Sequence, residues 1–284
     1  MLINHIIVGY GKWAKKILSF LVKYKIAQKL VVIRRKKKFI YYPKYKRLKE
    51  SEFKSILKQC KSAHICSSDS THLKYFNFFS KNKLQFIIEK PLVNNKKEFS
   101  KLLPNKKSKY LVNYIDLYNN ELTKIIKILN KNKNKNINLN IIYSDNSHQF
   151  KKRNLLIHSW LDHPLALILF FKKKFSNFKI KKYRSIRNKK AKYTENIMIN
   201  YNYGKTNINF VITNVLKKKR LIEIGANKKK YLINLNKNKS FKETNFYRLY
   251  KNLNHIEKSD FRFNLLFHKK ILLEKEKIFN VINK

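Results

Sequence analysis

The first residues whose types and spacing could do chemistry are those of "GYGKWA", Gly9–Ala14. The stretch fits the pattern G-x-G-x-x-G/A, directly after a short apolar run and directly before a segment with helical periodicity. In such a turn the first glycine permits a tight bend, and the second lets the backbone approach a pyrophosphate at the helix N-terminus. The stretch therefore predicts a dinucleotide site, and a plain strand–helix turn is the alternative. The candidate cofactor residues are Gly9, Tyr10, Gly11, Lys12, Trp13 and Ala14.

A second candidate lies in "FIIEKPL", residues 86–92, where an apolar run ends at Glu89, Lys90 and Pro91. A lysine at the carboxyl end of a buried strand would point into the crevice where parallel sheets bind ligands. A partly desolvated amine beside a cationic nicotinamide can exchange a proton with a substrate oxygen. Lys90 is therefore a candidate for proton transfer. The alternative is a solvated turn carrying one more surface lysine.

The end of the second predicted strand, "KLVVIRR" (29–35), indicates which dinucleotide would bind. An acidic residue at this point binds the ribose 2′-OH of NAD, whereas arginine suits the 2′-phosphate of NADP. Arg34 and Arg35 stand there, and they are two of only nine arginines in the chain. The pair favours NADP over NAD, with a solvated charge run as the alternative.

These residues need a sheet to position them, and the two halves of the sequence predict different sheets. Up to about residue 112, short apolar runs alternate with helical segments, which is typical of a parallel sheet covered by helices. Between residues 137 and 235, alternating runs at hairpin-like spacing predict a mainly antiparallel sheet, interrupted by a helix around 154–171. The predicted class is α/β, with a Rossmann domain at 1–112 and an α+β domain with an open sheet at 113–284. The C-terminal helix could pack back on the first domain.

The net charge of +51 would ordinarily indicate a nucleic-acid or anionic-membrane partner. Here 58 of the 67 basic residues are lysine, and asparagine, isoleucine, phenylalanine and tyrosine are also abundant, while glycine and proline number 4 each. The abundant residues are those encoded by A/T-rich codons, and glycine and proline need G and C. The base composition of the gene therefore accounts for the charge. Arginine forks, which recognise phosphate and base edges best, are scarce. We therefore expect no specific nucleic-acid partner.

The sequence gives no indication of an extracellular or membrane setting. Cys60 and Cys66 are too few for a disulfide framework, and no Cys/His spacing indicates zinc. The opening "MLINHIIVGYG" is typical of a strand and not of a signal peptide. The apolar stretch at 155–171 contains two histidines, an aspartate and a proline, and is shorter than the ~18 residues of a membrane span. We expect a cytoplasmic protein without a membrane anchor.

Taken together, "GYGKWA" and "ICSSDSTHLKYFNFFSKNKLQFIIEKPL" resemble the Gfo/Idh/MocA oxidoreductases over roughly the first 115 residues. The later "LIHSWLDHPLALI" resembles the family helix that carries a catalytic histidine. The resemblance implies an NAD(P)-dependent oxidoreductase acting on a sugar, sugar derivative or cyclic polyol, and pairing into a homodimer or higher oligomer through its open sheet. In the family the corresponding Lys-Pro bond is often cis, so the resemblance also implies a cis Lys90–Pro91 bond.

The resemblance further assigns residues to the site. Ser67 and Ser68 would lie near the nicotinamide ribose and His72 near the cofactor. Glu89 and Lys90 would be the glutamate and lysine of an E-K-P motif and would also border the cofactor. His163 aligns with the catalytic histidine of the helix, and its neighbour Asp162 is a further catalytic candidate. The family commonly has aspartate four residues before that histidine, where this chain has Ser159. This departure leaves open a second class, a catalytically impaired relative that binds a dinucleotide, and the net charge leaves a third, a basic nucleic-acid-binding protein.

Overall fold

The computed structural model describes the chain in ten segments: residues 3–34, 38–42, 46–144, 160–173, 178–186, 194–213, 216–217, 219–236, 245–254 and 265–282. It divides the chain into two compact units. The first comprises Met1–Asn113 with Tyr250–Lys269, and the second comprises Tyr114–Leu249 with Lys270–Lys284. Each unit is built around one sheet.

The first unit alternates strands and helices along most of its length. Its elements are β1 (Ile3–Val8), α1 (Lys12–Lys23), β2 (Ala27–Arg34), β3 (Lys38–Tyr42), β4 (Lys46–Leu48), α2 (Glu50–Gln59), β5 (Ser62–Ile65), α3 (His72–Lys81), β6 (Gln85–Glu89), α4 (Lys96–Phe99) and β7 (Lys109–Asn113). The sheet order is β4-β3-β2-β1-β5-β6-β7. The five strands from β2 to β7 in this order are parallel, as predicted for a Rossmann domain.

The sequence explains why these elements form and pack. β5 is buried at every position, because helices cover both faces of a parallel sheet. α1 buries Ala14, Ile17, Leu18 and Leu21, which recur at the spacing of one helical face. The antiparallel strands β3 and β4 at the sheet edge were not predicted, because "KFIYYPKYKRL" is basic and interrupted by proline.

The second unit contains a six-stranded sheet of order β13-β12-β8-β11-β10-β9. The elements that follow β7 are α5 (Glu121–Lys131), β8 (Ile137–Ser144), α6 (Asp162–Lys172), β9 (Phe178–Ile186), β10 (Thr194–Tyr203), β11 (Thr206–Thr213), β12 (Lys219–Ala226), β13 (Lys229–Asn234), α7 (Asn245–Asn254) and α8 (Leu265–Ile282). β8 and β11 run parallel and the other pairs are antiparallel, so the mainly antiparallel sheet is confirmed.

Turn chemistry fixes the hairpins of this sheet. Gly204 has φ +54° between β10 and β11, a backbone conformation that glycine adopts readily in a turn. Asn227 and Lys228 both have positive φ between β12 and β13, which suits a two-residue turn. The predicted helix around 154–171 is found from Asp162 to Lys172, and its earlier residues up to 159 lie outside the described segments. Among the helices of the described segments, none has the length and hydropathy of a membrane span.

Candidate functional site

The turn between β1 and α1 has the geometry that its glycines predict. Gly9 has φ +105°, and its N–H donates to the carbonyl oxygen of Ile33 at 2.8 Å. A Cβ at this position would lie 2.7 Å from the carbonyl oxygen of Cys66, in the loop that follows β5. Only glycine meets both conditions, because an L side chain rarely adopts this φ and has no room here.

Gly11, unlike Gly9, has free space where a Cβ would lie. No atom lies within 4 Å of a Cβ built on Gly11, which is the N-cap of α1 and makes no side-chain cap. The first turn of α1 contains Lys12 and Trp13 and no acidic residue. Its backbone N–H groups and the positive end of the helix dipole therefore face a space that can receive an anion.

Two cations lie over the ring of Tyr10 beside this turn. The guanidinium of Arg34, at the end of β2, is 4.7 Å from the ring centre, and the Lys15 ammonium is 5.0 Å away. Such cation–π contacts hold Arg34 near the glycine turn. Arg35 lies outside the described residues.

The serine loop after β5 is held by its own hydroxyls. The Thr71 hydroxyl donates to the Ser68 carbonyl oxygen at 2.8 Å and forms a hydrogen bond of 2.7 Å with the Ser67 hydroxyl. Ser67 and Ser68 lie at the same edge of the sheet as Gly9, because the serine loop and the glycine turn follow the carboxyl ends of the neighbouring parallel strands β5 and β1.

His72 joins two of the predicted segments. It is buried at 1% exposure, its Nδ1 donates to the carbonyl oxygen of Pro91 at 2.7 Å, and its Nε2 lies 3.2 Å from the carbonyl oxygen of Ser67. The side chain thus ties the E-K-P segment to the serine loop.

Glu89 is the centre of a hydrogen-bond network in this unit. Its Oε1 accepts from His64 Nε2 at 2.9 Å and from Asn113 Nδ2 at 2.7 Å, and the carboxylate also accepts from the Trp13 indole. Burial alone would raise the pKa of Glu89, but the hydrogen bond and charge of His64 and the hydrogen bonds from Asn113 and Trp13 lower it below its ordinary value. An ionised Glu89 therefore connects three strand ends to α1.

Lys90 follows Glu89 directly after β6 and is half-buried. The Lys90–Pro91 peptide bond is cis, which confirms the expectation from the resemblance. Lys90 thus stands beside the anchored carboxylate, at the sheet edge that also carries the glycine turn.

The network continues into residues that the sequence did not single out. His64 Nδ1 forms a hydrogen bond of 2.7 Å with the Tyr250 hydroxyl, 186 positions away in the chain. The ligand atoms of His64, Cys66 and Glu89 lie within 4.8 Å of one another, so these groups could also hold a metal. Burial and the charge of Glu89 raise the pKa of the Cys66 thiol well above its ordinary value, which disfavours the thiolate that a metal needs. A hydrogen-bond network is the better interpretation.

In the second unit, His163 lies in the first turn of α6 and is buried at 7% exposure. Its Nδ1 is 3.7 Å from Oδ2 of Asp116, in the turn Ile115–Tyr118 after β7. Asp116 also accepts from the Tyr143 hydroxyl at 2.5 Å and from Arg220 Nη1 at 3.0 Å. The predicted histidine therefore has a carboxylate partner that the sequence did not reveal.

Asp162, the neighbour of His163, is bound elsewhere. Its two carboxylate oxygens accept from Lys275 Nζ at 3.1 and 2.9 Å, and both side chains are buried. This ion pair attaches the start of α6 to α8.

Solved structures share this fold over nearly the whole chain. A Gfo/Idh/MocA family oxidoreductase from Vibrio cholerae is 10% identical with a TM-score of 0.65, covering 99% of this chain and 100% of that one. Myo-inositol 2-dehydrogenase from Lactobacillus plantarum is 11% identical with a TM-score of 0.71, covering 100% and 98%. Aldose-aldose oxidoreductase from Caulobacter crescentus is 11% identical with a TM-score of 0.68, covering 99% and 97%. No family model and no curated protein matches the sequence.

The two sheets define an α/β protein with a Rossmann-type unit followed by a unit with a mixed, mainly antiparallel sheet. This is the fold of the Gfo/Idh/MocA oxidoreductases, so the resemblance found in the sequence motifs is confirmed for the fold.

Proposed function

We propose that the protein is an NAD(P)-dependent oxidoreductase that transfers hydride between the nicotinamide and a hydroxyl or carbonyl carbon of its substrate. The observation that carries the proposal is the hydrogen bond from Trp13 to Glu89, which links the glycine turn to the E-K-P segment. It brings a candidate cofactor turn and a candidate proton-transfer lysine to one edge of a parallel sheet, where such sheets bind ligands.

The residues present fit a dinucleotide. The open space at Gly11 and the uncapped first turn of α1 suit a pyrophosphate, Ser67 and Ser68 suit the nicotinamide ribose, and Arg34 suits a 2′-phosphate. The bound nicotinamide would supply the hydride chemistry. NADP is the favoured cofactor, because the end of β2 carries Arg34 where NAD-binding sheets carry a carboxylate.

The protein itself must move one proton to or from the substrate oxygen. We assign this to Lys90 Nζ, with His163 as acid/base partner or as a hydrogen-bond donor to the same oxygen. Glu89 would hold the segment through its network with His64, Asn113 and Trp13. Asp162 is assigned to the ion pair with Lys275 and not to proton transfer.

The substrate class proposed is a sugar, sugar derivative or cyclic polyol. Two of the structural neighbours bear the names myo-inositol 2-dehydrogenase and aldose-aldose oxidoreductase, which supports this class. A panel of inositols, aldoses and nucleotide sugars, followed by NAD(P)H absorbance, tests it, and absence of turnover on all of them would count against it.

We also propose that the chain pairs with a second copy through the open face of the second sheet. A row of polar side chains crosses four strands there, and a row of apolar side chains runs beside it. The polar row is Asn200, Asn209, Asn140 and Glu223, and the apolar row is Met198, Val211, Ile142 and Leu221.

Replacing Val211 with glutamate, Val211→Glu, should convert a dimer to a monomer in analytical ultracentrifugation, while the exposed control Lys205→Glu should not. A monomeric unsubstituted chain would refute the pairing.

The cofactor assignment predicts a preference that Arg34 controls. At ~0.3 M salt, where exposed electrostatic binding fades, NADPH should raise the melting temperature more than NADH does. Replacing Arg34 with glutamate should weaken NADPH binding by about tenfold or more and leave NADH binding nearly unchanged. Lys29→Glu is the matched control, since it makes the same charge change at the other end of β2.

Three outcomes of the melting-temperature, binding and turnover measurements decide between the proposals. Failure of both dinucleotides to shift the melting temperature would refute the proposed function. Binding without turnover on the whole panel would favour the catalytically impaired relative. A preference for NADPH that persists in Arg34→Glu would refute the role of Arg34.

A further inference from the structure

A buried carboxylate in the second unit lies beside His163 and has no role in the proton transfer proposed above. Asp116 lies in the turn Ile115–Tyr118 after β7, and only 1% of its surface is exposed. An isolated buried carboxylate is costly, so such a group is retained where partners compensate it. The partners of Asp116 therefore indicate what it does.

Those partners come from three separate elements. Tyr143 of β8 donates at 2.5 Å, Arg220 of β12 donates at 3.0 Å, and the imidazole of His163 on α6 approaches to 3.7 Å. Burial alone would raise the pKa of Asp116, but the charges of Arg220 and His163 and the hydrogen bonds from Tyr143 and Arg220 lower it below its ordinary value. Asp116 is therefore ionised at neutral pH.

The imidazole plane matches the plane of the Tyr143 ring. The rings of His163 and Tyr143 are almost parallel, with an interplanar angle of 7° and centroids 6.3 Å apart. Tyr143 is itself held by its hydrogen bond to Asp116. Asp116 thus acts on His163 directly, through its charge, and indirectly, through the ring that lies against the imidazole.

We propose that Asp116 is a positioning residue that orients His163 and favours its protonated form. The inference rests on the proposed function for its catalytic meaning, since His163 is the acid/base partner there. The physical link between Asp116 and His163 can be measured without any substrate.

Other charges near His163 set the sign of the expected effects. In the described part of the chain, the charged and titratable groups around it include Asp116, Tyr143, Arg220 and, on its own helix, Asp162, which is paired with Lys275 and interacts by charge with Tyr114. Arg220 opposes a positive imidazole and Asp116 favours it. Removing one or the other should therefore shift the pKa of His163 in opposite directions.

The experiment follows the histidine ring signals by NMR in the full chain labelled with ¹³C-histidine, with His163→Gln to assign the signal. Asp116→Asn keeps the shape and should lower the pKa of His163 by about 1. Arg220→Gln should raise it, which keeps a test available if Asp116→Asn does not fold. Asp162→Asn removes the buried carboxylate adjacent in sequence to His163 and should change the titration of His163 less than Asp116→Asn does.

Turnover supplies the second measurement. Asp116→Asn should lower kcat by about tenfold or more and shift the pH profile in the direction of the His163 titration, with NADPH affinity unchanged. An unchanged His163 titration in Asp116→Asn, or a larger effect of Asp162→Asn, would overturn the inference. So would a titration that moves while the pH profile of an active enzyme does not. If the unsubstituted protein binds no dinucleotide, the proposed function fails, and the NMR result still decides whether Asp116 controls His163.

Discussion

Replacing Lys90 with alanine is expected to lower turnover by a factor on the order of 100 or more, because positioned proton transfer contributes this much to such reactions. NADPH affinity should change little, since the groups proposed to hold the dinucleotide are the glycine turn, the serine loop and Arg34. The measurement is steady-state turnover of the best substrate from the panel, together with a fluorescence titration of NADPH. A loss in kcat with an unchanged cofactor Kd would assign Lys90 to the chemical step.

Two further variants separate proton transfer from charge. Lys90→Arg keeps the positive charge but cannot give up a proton at neutral pH, so it should lose turnover almost as Lys90→Ala does. Added primary amines should restore part of the activity of Lys90→Ala by supplying the missing proton carrier. Lys107→Ala, at an exposed turn of the same unit, is the control and should behave as the unsubstituted enzyme. Full turnover in Lys90→Ala would refute the mechanism.

The hydrogen bonds of Glu89 fix the position of the backbone at Lys90. Three donors from β5, β7 and α1 fix its carboxylate, and the backbone of Lys90 is bonded directly to it. A solvated turn, the competing interpretation of "FIIEKPL", would leave such a carboxylate in water. The buried network therefore favours a functional site over a solvated turn.

The parts of the fold that the sequence predicted are those determined by local pattern. The run of apolar residues in β5 and the periodic burial of α1 follow from the chain itself, and the turn in "GYGKWA" required a glycine at position 9. The parallel pairing of β8 with β11 did not follow, because hairpin spacing between neighbours says nothing about strands 60 or more residues apart.

Only the site residues that belong to local sequence motifs were predicted. Tyr250 is 186 positions from His64, and Arg220 is 104 positions from Asp116, so no local periodicity connects either pair. One signal was present: Asp116 is among only 16 acidic residues and lies three positions after the buried strand β7, and Glu89 is the last residue of the buried strand β6. The family pattern points only to the position four residues before His163, which is Ser159 in this sequence, and an acid supplied by another element leaves no trace in that pattern.

Alanine at Gly9 and at Gly11 should have opposite consequences, although the two residues are separated by one position. At Gly9 the new Cβ would meet the Cys66 carbonyl oxygen at 2.7 Å, on a backbone with φ +105°. Strain and overlap together should cost at least about 3 kcal/mol of stability, so the melting temperature should fall by several degrees without any ligand.

At Gly11 the new Cβ meets nothing within 4 Å, so the stability of the ligand-free protein should change by less than about 0.5 kcal/mol. The methyl group would instead occupy the space proposed for the pyrophosphate, and NADPH affinity should fall by about tenfold or more. Differential scanning fluorimetry with and without NADPH measures both effects in one experiment. If Gly11→Ala binds NADPH normally, the dinucleotide does not approach this turn, and the turn is structural only. If Gly9→Ala is as stable as the unsubstituted chain, the loop after β5 does not press on the turn, and the close approach that would shape a cofactor site is absent.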